Sequence, residues 1–386
     1  MMNKPVLKPK CPNFSSGPCA KRPEWRAEAL FAGSLGRSHR SVLGHERLKL
    51  SIDLMKEVLQ VSADYRVGIL PGSDTGAVES ALWSMLGPKG VDVFAWETFG
   101  KNWADDITKQ LKLPDVRVFD APYGLLPNLT RADPDRDVVF AWNGTTSGVC
   151  VPDGDWISVD RTGLTICDAT SAAFAMELPW DKLDVVTFSW QKALGGEGAH
   201  GVIIISPRAV ERLESYTPSW PMPKLFRMTA GGKLNEGIFV GDTINTPSML
   251  CVEDIIDALN WGKSVGGLQG LIARSKANFA VLESFVAARP DRFAFLAQDK
   301  SYRSNTSVCL KIVDKDFLAL DEDAQKAFCK KMVKLLGDEG AAFDCGSYKA
   351  APAGLRFWCG ATVETDDVKA LCPWLDWAFE TVKSGL

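Results

Sequence analysis

Residues 65–86 (YRVGILPGSDTGAVESALWSML) carry the pattern on which the fold prediction depends. The short apolar run Tyr65–Leu70 predicts a buried strand, and Pro71–Gly76 supplies a turn of glycine and small polar residues. The spacing of the next residues predicts a helix over Ala77–Leu86. A strand, a glycine-containing turn and a helix in this order indicate the start of an α/β layer.

Further short apolar runs follow downstream. Continuous runs of Val, Ile and Phe are typical of strands that are buried on both faces, as in parallel sheets flanked by helices. Together with Tyr65–Leu70 they predict a mostly parallel, seven-stranded sheet. The runs are Asp92–Trp96, Val116–Phe119, Asp137–Trp142, Leu164–Cys167, Val185–Trp190 and Gly201–Ile205.

The pattern changes after Pro247 and predicts a second, smaller unit. Long helical segments come first, and a few strands mixed with helices follow, which is typical of an α+β domain. The predicted organisation is an N-terminal arm (1–24), a large domain (25–255) and a small C-terminal domain (256–386). The helical segments are 251–261, 271–287, 322–336 and 365–383, and the strands are 307–313 and 355–359.

Composition and charge exclude several classes of function. Apolar residues make up 46% of the chain and charged residues 24%, as in ordinary globular proteins. The net charge of −4 disfavours nucleic acid and anionic membranes as partners. No apolar run is long enough for a membrane span, and the N-terminal segment has no apolar core of a signal peptide. The ten cysteines form no C-x-x-C pair, which predicts reduced thiols of a cytoplasmic protein and no metal site.

Lys192 is the strongest candidate for a reactive side chain. It follows an apolar strand and opens a glycine-rich loop, in the segment Thr187–Gly201 (TFSWQKALGGEGAHG). Most lysines are simply solvated, and a surface lysine at a strand end is the alternative. Next to Trp190 and the glycines, however, the amine is expected to be partly desolvated, which lowers its pKa and makes it a nucleophile.

Asp168 stands at the end of another predicted strand, in Thr165–Ala173 (TICDATSAA). Open α/β sheets bind ligands at the carboxyl ends of their strands, although an aspartate here could also be a helix cap. A lysine and a carboxylate in one site indicate a particular cofactor chemistry. Pyridoxal 5'-phosphate needs a lysine for its imine and a carboxylate to keep its ring nitrogen protonated. The turn Gly72–Gly76 before a helix would provide an anion site for the phosphate.

The motifs in their order resemble those of the class V, fold-type I pyridoxal-phosphate aminotransferases. They are SSGP, GSDTGAVE, WETFG, NGTTSG, CDATSA, SWQK and NTPS. The opening NFSSGPCAKRP and the triplet Ser38–Arg40 are most similar to the phosphoserine aminotransferase branch. The resemblance covers nearly the whole chain, from about Asn13 to the final helix, and it implies a fold-type I PLP-transferase.

The resemblance implies a set of cofactor contacts. Lys192 is the Schiff-base lysine and proton carrier, and Asp168 pairs with the pyridine nitrogen. Phe99 stacks on the ring, whereas Trp96 and Trp103 are more typical of core residues. The remaining cofactor-binding residues implied are Thr145 near the 3'-oxygen, Ser73, Asp74 and Gln191 at the phosphate, and Asn245 and Thr246 at the phosphate of a partner subunit.

The same resemblance implies a homodimer and two substrate-binding ends. Arg356 corresponds to the arginine that binds the α-carboxylate through its planar fork. His39 and Arg40 correspond to the pair that recognises the distal anion. The implied reaction converts 3-phosphohydroxypyruvate and L-glutamate into O-phospho-L-serine and 2-oxoglutarate, in serine biosynthesis and also in pyridoxine biosynthesis.

Two positions depart from the family pattern. Asp74-Thr75 stands where many members have an arginine, and Tyr348-Lys349-Ala350 stands where many have a His-Arg pair. The candidates to compensate for these cations are Arg37, Arg227, Lys233 and Lys349. Three alternatives remain open: transamination of small unphosphorylated 2-oxo acids such as glyoxylate, cysteine desulfuration through Cys345 or Cys359, and a non-enzymatic binding protein.

Overall fold

The computed structural model describes residues 3–385, and a seven-stranded sheet forms its centre. The strands follow the spatial order β1–β9–β8–β7–β4–β2–β3. Two short strands, β5 (Asn143–Gly144) and β6 (Val149–Cys150), form a separate hairpin. The central strands are β1 (Arg66–Pro71), β2 (Val91–Ala95), β3 (Val116–Asp120), β4 (Asp137–Ala141), β7 (Thr165–Asp168), β8 (Val185–Ser189) and β9 (His200–Ile205).

Strand β9 runs antiparallel to both of its neighbours, β1 and β8, whereas the other neighbouring pairs are parallel. Every residue of β2, β4, β8 and β9 is buried, as expected for strands covered on both faces. The predicted mostly parallel, seven-stranded α/β sheet is therefore confirmed, and each predicted run forms one of its strands.

Helices cover the sheet and build the C-terminal part of the molecule. The first is α1 (Val42–Val58), which packs against α5. The others are α2 (Ser73–Met85), α3 (Thr98–Asp105), α4 (Pro207–Ser215), α5 (Met249–Ser264), α6 (Gly267–Ala287), α7 (Lys315–Leu318), α8 (Glu322–Asp338) and α9 (Thr365–Lys383).

Helix α2 begins at Ser73, four residues before the predicted start at Ala77. Gly72 caps it with a φ of +85°, in the left-handed region that glycine enters without strain. The N–H of Gly76 donates to the carbonyl of Gly72 at 2.9 Å, which closes the first helical turn. The polar residues predicted as a turn thus form the N-terminus of the helix.

Three antiparallel strands form a second sheet in the C-terminal part: β12 (Phe293–Phe295), β13 (Ser307–Ile312) and β14 (Leu355–Trp358). Helix α9 packs against both α6 and α8 beside this sheet. A small hairpin of β10 (Thr229–Ala230) and β11 (Lys233–Leu234) lies earlier in the chain. The division into domains at residues 24 and 255 stays a prediction.

The N-terminal segment runs as an extended chain over the carboxyl end of the central sheet. Phe14 is fully buried, and its carbonyl accepts from the N–H of Trp358 at 3.0 Å. The N–H of Cys19 donates to the carbonyl of Gln191 at 2.8 Å. These contacts place residues 14–19 directly above the end of β8. Within residues 3–385, no helix has the length and hydropathy needed to cross a membrane.

Candidate active site

Lys192 lies just beyond β8 and is 9% exposed. Its ammonium group donates to the carbonyl of Ser16, and a Cβ added to Gly17 would overlap Lys192 Nζ. Burial, reinforced by the charge of Arg356, lowers the pKa of Lys192, which favours the neutral, nucleophilic amine. The predicted desolvation of this lysine thus agrees with its surroundings, and the groups shown to cover its amine, Ser16 and Gly17, belong to the N-terminal segment.

Asp168 is the last residue of β7, which is the strand next to β8. Its Oδ2 accepts from Trp103 Nε1 at 3.1 Å, and its Oδ1 accepts from the N–H of Thr170 at 2.9 Å. Trp103 is 4% exposed, as predicted for a core residue, but it also holds the carboxylate. Both oxygens of the Asp168 carboxyl thus have a donor, and the side chain lines the cleft.

The N-terminus of α2 reaches the same cleft. Ser73 has a φ of +57°, and the close approach of β9 requires a glycine at Gly201, whose added Cβ would overlap the carbonyl of Ser73. The first N–H groups of a helix attract anions. The carboxyl of Asp74 is turned toward Asp168 and lies within hydrogen-bonding reach of it. The phosphate contact predicted for Asp74 therefore falls to its backbone N–H, and it stays a prediction.

Glu97 organises the aromatic side of the cleft, although the sequence analysis assigned it no role. It is 1% exposed and caps α3, because its side chain accepts from the N–H of Gly100 at 2.9 Å. It also accepts from the hydroxyl of Thr146 at 2.7 Å. One buried carboxyl therefore fixes both Phe99, in the first turn of α3, and Thr145, in the turn between β5 and β6.

Arg356 in β14 approaches the cleft from the C-terminal part. Its Nε is buried and has no hydrogen-bond partner among the described residues. Its Cζ lies 5.8 Å from the ring centroid of Tyr348, and that ring is 5.9 Å from the ring of Phe99. Tyr348, at a position where the family pattern has a cation, thus packs between the arginine and the aromatic residue. An unpartnered guanidinium nitrogen at this place suits a carboxylate ligand.

Apart from Arg356, which is not among the residues that line it, the side chains predicted to bind the cofactor ring meet in one cleft. Of the predicted residues, it contains Ser73, Asp74, Phe99, Thr145, Asp168, Gln191 and Lys192. These residues belong to the ends of β7 and β8, the starts of α2 and α3, and the turn of the β5–β6 hairpin.

His39 and Arg40 do not line this cleft. They lie in a separate, open pocket together with Lys224, Arg227 and Ile244. Asn245 and Thr246 follow Ile244 directly and are likewise absent from the lining of the Lys192 cleft. In a single chain, the predicted distal-anion residues and the residues predicted to contact a partner's cofactor are therefore grouped with each other, away from Lys192.

The four cations that were predicted to compensate for the missing family residues lie in different surroundings. Arg227 lines the His39–Arg40 pocket, where Lys224 joins it. Lys233 is paired with Glu214 at 3.0 Å, and Lys349 lines a different cleft. Arg37 is exposed.

The two cysteines considered for desulfuration are unsuited to it. Cys345 and Cys359 are both fully buried. Burial raises the pKa of the Cys345 thiol to about 12 and raises that of Cys359 as well. A persulfide-forming cysteine must reach its substrate as a thiolate, so neither meets the requirement.

Solved structures identify the class of protein that this fold and cleft define. A phosphoserine aminotransferase from Cytophaga hutchinsonii superposes with a TM-score of 0.78 over 94% of this chain and 98% of its own, at 19% identity. A PLP-bound phosphoserine aminotransferase from Trichomonas vaginalis gives 0.76 over 95% and 100%, also at 19% identity. At these identities the similarity establishes the fold, which is that of the fold-type I aminotransferases.

Sequence relatives then identify the family. Phosphoserine aminotransferases of Methanosarcina mazei and Methanosarcina barkeri are each 58% identical over 380 residues, covering 98% of this chain and all of theirs. The chain therefore belongs to the phosphoserine aminotransferase family, as the motifs predicted. A scan against protein-family models found no match.

Proposed function

We propose that this chain is a pyridoxal 5'-phosphate-dependent phosphoserine aminotransferase, which converts 3-phosphohydroxypyruvate and L-glutamate into O-phospho-L-serine and 2-oxoglutarate. The observation that carries the proposal is the meeting of Lys192 and Asp168 in one cleft, in a chain 58% identical over its length to phosphoserine aminotransferases. Serine biosynthesis is the corresponding role. We extend the proposal to pyridoxine biosynthesis, where a related phosphorylated substrate needs the same chemistry, and to a cytoplasmic location.

The polar groups of the cleft fit the cofactor. Buried polar atoms without partners border it, among them Thr170 Oγ1 and Asp74 Oδ1, and the missing side chain of Gly201 lets the start of α2 approach. Bound pyridoxal 5'-phosphate supplies the carbonyl that carries the amino group and the ring that withdraws electrons. The N-terminus of α2, with Ser73 and Gln191, would hold its phosphate, while Thr145 would face its 3'-oxygen.

The chain's own residues then bind, orient and move protons. Lys192, whose pKa burial lowers, would hold the cofactor and would carry a proton to and from the substrate Cα. Asp168, held by Trp103 and Thr170, would face the ring nitrogen. Phe99 would cover one face of the ring. Arg356 binds the α-carboxylate that both substrates share, through two charge-assisted hydrogen bonds.

The distal anion needs a second group of cations. His39, Arg40, Lys224 and Arg227 share one pocket, and among the described residues no carboxylate forms an ion pair with either arginine or with Lys224. Asp242 also lines the pocket and lies 3.4 Å from His45. We assign the recognition of the distal phosphate or carboxylate to this group, with Arg227 and Lys224 in place of the cations missing near Tyr348.

Since this pocket does not include Lys192, we infer that a second copy of the chain brings it to the cleft. Exposed apolar side chains, a feature typical of protein interfaces, occur in the same chain segments as the residues that line this pocket. Asn245 and Thr246 follow the lining residue Ile244 and would reach the partner's cofactor phosphate. The exposed residues are Phe31, Leu35, Val42, Leu225, Val240 and Leu250. A homodimer would cover them and complete both sites.

Arg40→Ala and Arg227→Ala test the substrate assignment. Each should lower kcat/KM for O-phosphoserine, Arg40→Ala by about 2–5 kcal/mol in transition-state binding, because the distal phosphate loses a charged partner. Alanine, which has no distal anion, should lose far less. The measurement is kcat/KM for phosphoserine, glutamate and alanine.

Lys233→Ala is the matched control, since it removes a cation of the same loop that is paired with Glu214 instead. Equal losses on all three substrates would show that Arg40 is structural. A wild type that prefers alanine or serine to phosphoserine would favour the small-oxo-acid alternative.

Val42→Glu tests the dimer. Val42 is 77% exposed at the start of α1, where an acidic side chain suits the helix dipole, so the folded single chain should tolerate the change. In a dimer the charge would be buried without a partner, and both association and activity should fall together. Sedimentation at the assay concentration measures the assembly.

Val159→Glu provides the control, because Val159 is similarly exposed at 70% but lies outside this surface. A wild-type chain that is fully active as a monomer would contradict the claim that a partner completes the site.

A further inference from the structure

Asp74 is a buried carboxyl that the proposed mechanism does not use. It occupies the first turn of α2 and is 7% exposed. It lines the Lys192 cleft, and its carboxyl lies within hydrogen-bonding reach of the carboxyl of Asp168. Strand β1, which leads into α2, is separated from β7 by two other strands, so this pairing arises across the end of the sheet.

The two carboxyls have unequal surroundings. Asp168 receives hydrogen bonds from Trp103 Nε1 and from the N–H of Thr170. Asp74 Oδ1 is buried and has no partner among the described residues. The hydroxyls of Thr170 and Thr187 lie close enough to lower the pKa of Asp74, but this effect is smaller than that of burial and of Asp168. When two carboxyls adjoin in a buried site, one of them stays protonated, and the one with fewer donors keeps the proton. That carboxyl is Asp74.

The charged groups around Asp74 also favour its protonated form. The largest charge effect on Asp74 comes from Asp168. The other titratable groups nearby are Lys192 and Glu97, which line the same cleft, and the buried thiol of Cys167. Burial first, and the charge of Asp168 second, raise the pKa of Asp74 well above its ordinary value of 3.8. A carboxylic acid in this state is a hydrogen-bond donor, and the carboxylate of Asp168 is the acceptor within its reach.

We propose that Asp74 holds a proton at neutral pH and donates it in a hydrogen bond to Asp168, so that Asp74 acts as a positioning residue for the carboxylate that faces the cofactor's ring nitrogen. The role in catalysis rests on the proposed function, whereas the proton on Asp74 does not. The donated hydrogen bond fixes the orientation of Asp168 and spreads its negative charge. The Asp74 side chain thus has a task different from phosphate binding.

The pH dependence of stability tests the proton directly. The pKa of Asp74 is higher in the folded chain than in the unfolded chain, so between the two values the folded state binds more protons. Wild type should therefore lose stability as the pH rises above about 4 toward the folded-state pKa. Asp74→Asn cannot ionise and keeps an N–H donor. The difference between its urea unfolding midpoint and that of wild type should therefore increase in favour of the variant as the pH rises from about 4 to about 8. Both proteins are measured as the full chain without added cofactor.

Asp160→Asn is the control, because it removes an exposed carboxyl and its difference from wild type should stay constant across this range. A constant difference for Asp74→Asn as well would overturn the proposal. This measurement needs no activity, so it stands even if the chain fails to transaminate, a result that would contradict the proposed function alone.

Cofactor binding separates positioning from simple packing. Asp74→Asn should bind pyridoxal 5'-phosphate with a Kd within roughly threefold of wild type and keep the visible absorption of the bound cofactor, because the amide still donates to Asp168. Asp74→Ala should weaken binding by on the order of tenfold, the loss expected for one hydrogen bond to a charged group. If Asp74→Asn binds as weakly as Asp74→Ala, an ionised Asp74 is required and the proposal is wrong.

Discussion

Lys192→Ala should abolish covalent attachment of pyridoxal 5'-phosphate and nearly all transamination. The variant loses both the amine that bonds to the cofactor and the base that moves the Cα proton. Loss of a general acid–base group alone costs about 10²–10⁴-fold in rate, and the loss of attachment adds to it. Stopped-flow absorbance after addition of phosphoserine or glutamate measures the half-reaction, and the visible spectrum reports attachment.

Lys192→Arg is the matched variant, because it keeps a cation under the carbonyl of Ser16 without a nucleophilic amine. It should fail as Lys192→Ala does, which distinguishes the chemistry of the amine from its charge. Borohydride reduction followed by peptide mapping of the wild type locates the attachment. A pyridoxyl label on a different lysine would show that the assignment of Lys192 is wrong.

Asp168→Asn and Asp168→Ala should slow the same half-reaction by roughly 10²–10³-fold, the range seen when one charge-stabilising group is removed from an active site. Without the carboxylate, the ring nitrogen is not held protonated and the cofactor withdraws electrons less strongly. The amide of Asn keeps an oxygen for Trp103 or Thr170, whereas Ala leaves both donors without their acceptor, at a cost of about 1–3 kcal/mol each.

The free energy of unfolding should therefore fall more in Asp168→Ala than in Asp168→Asn, while the kinetic defects of the two variants should be similar. This separation identifies the charge, and not the packing, as the source of the rate effect. A half-reaction rate that is unchanged in either variant would mean that Asp168 does not contact the ring nitrogen.

The sheet could be predicted from sequence because burial on both faces leaves continuous apolar runs, such as Val185–Trp190. Elements that are shorter or more polar than these strands could not be predicted in this way. Strand β12 has three residues, fewer than a periodicity can reveal. The start of α2 was placed too late, because Ser, Asp, Thr and Gly favour turns and caps, and the left-handed φ of Gly72 is a property of the folded backbone.

The site was predictable to the extent that topology dictates it. Lys192 and Asp168 end neighbouring parallel strands, which brings both to one edge of the sheet. The direction of the Asp74 carboxyl depends on how α2 meets β7 across two intervening strands, which no local pattern encodes. The pocket of Arg40 and Arg227 likewise joins segments far apart in the chain, and the spacing between them carries no signal.

The segment over Lys192 has a consequence for the order of folding. Residues 14–19 are held by contacts with the other end of the chain, such as the N–H of Trp358 on the carbonyl of Phe14. The indole of Trp374 donates to the carbonyl of Leu7 across 367 positions of sequence. Contacts of such long range close large loops and form late. We therefore expect the segment over Lys192 to be fixed late, so that the amine acquires its buried environment only when β14 and α9 have folded.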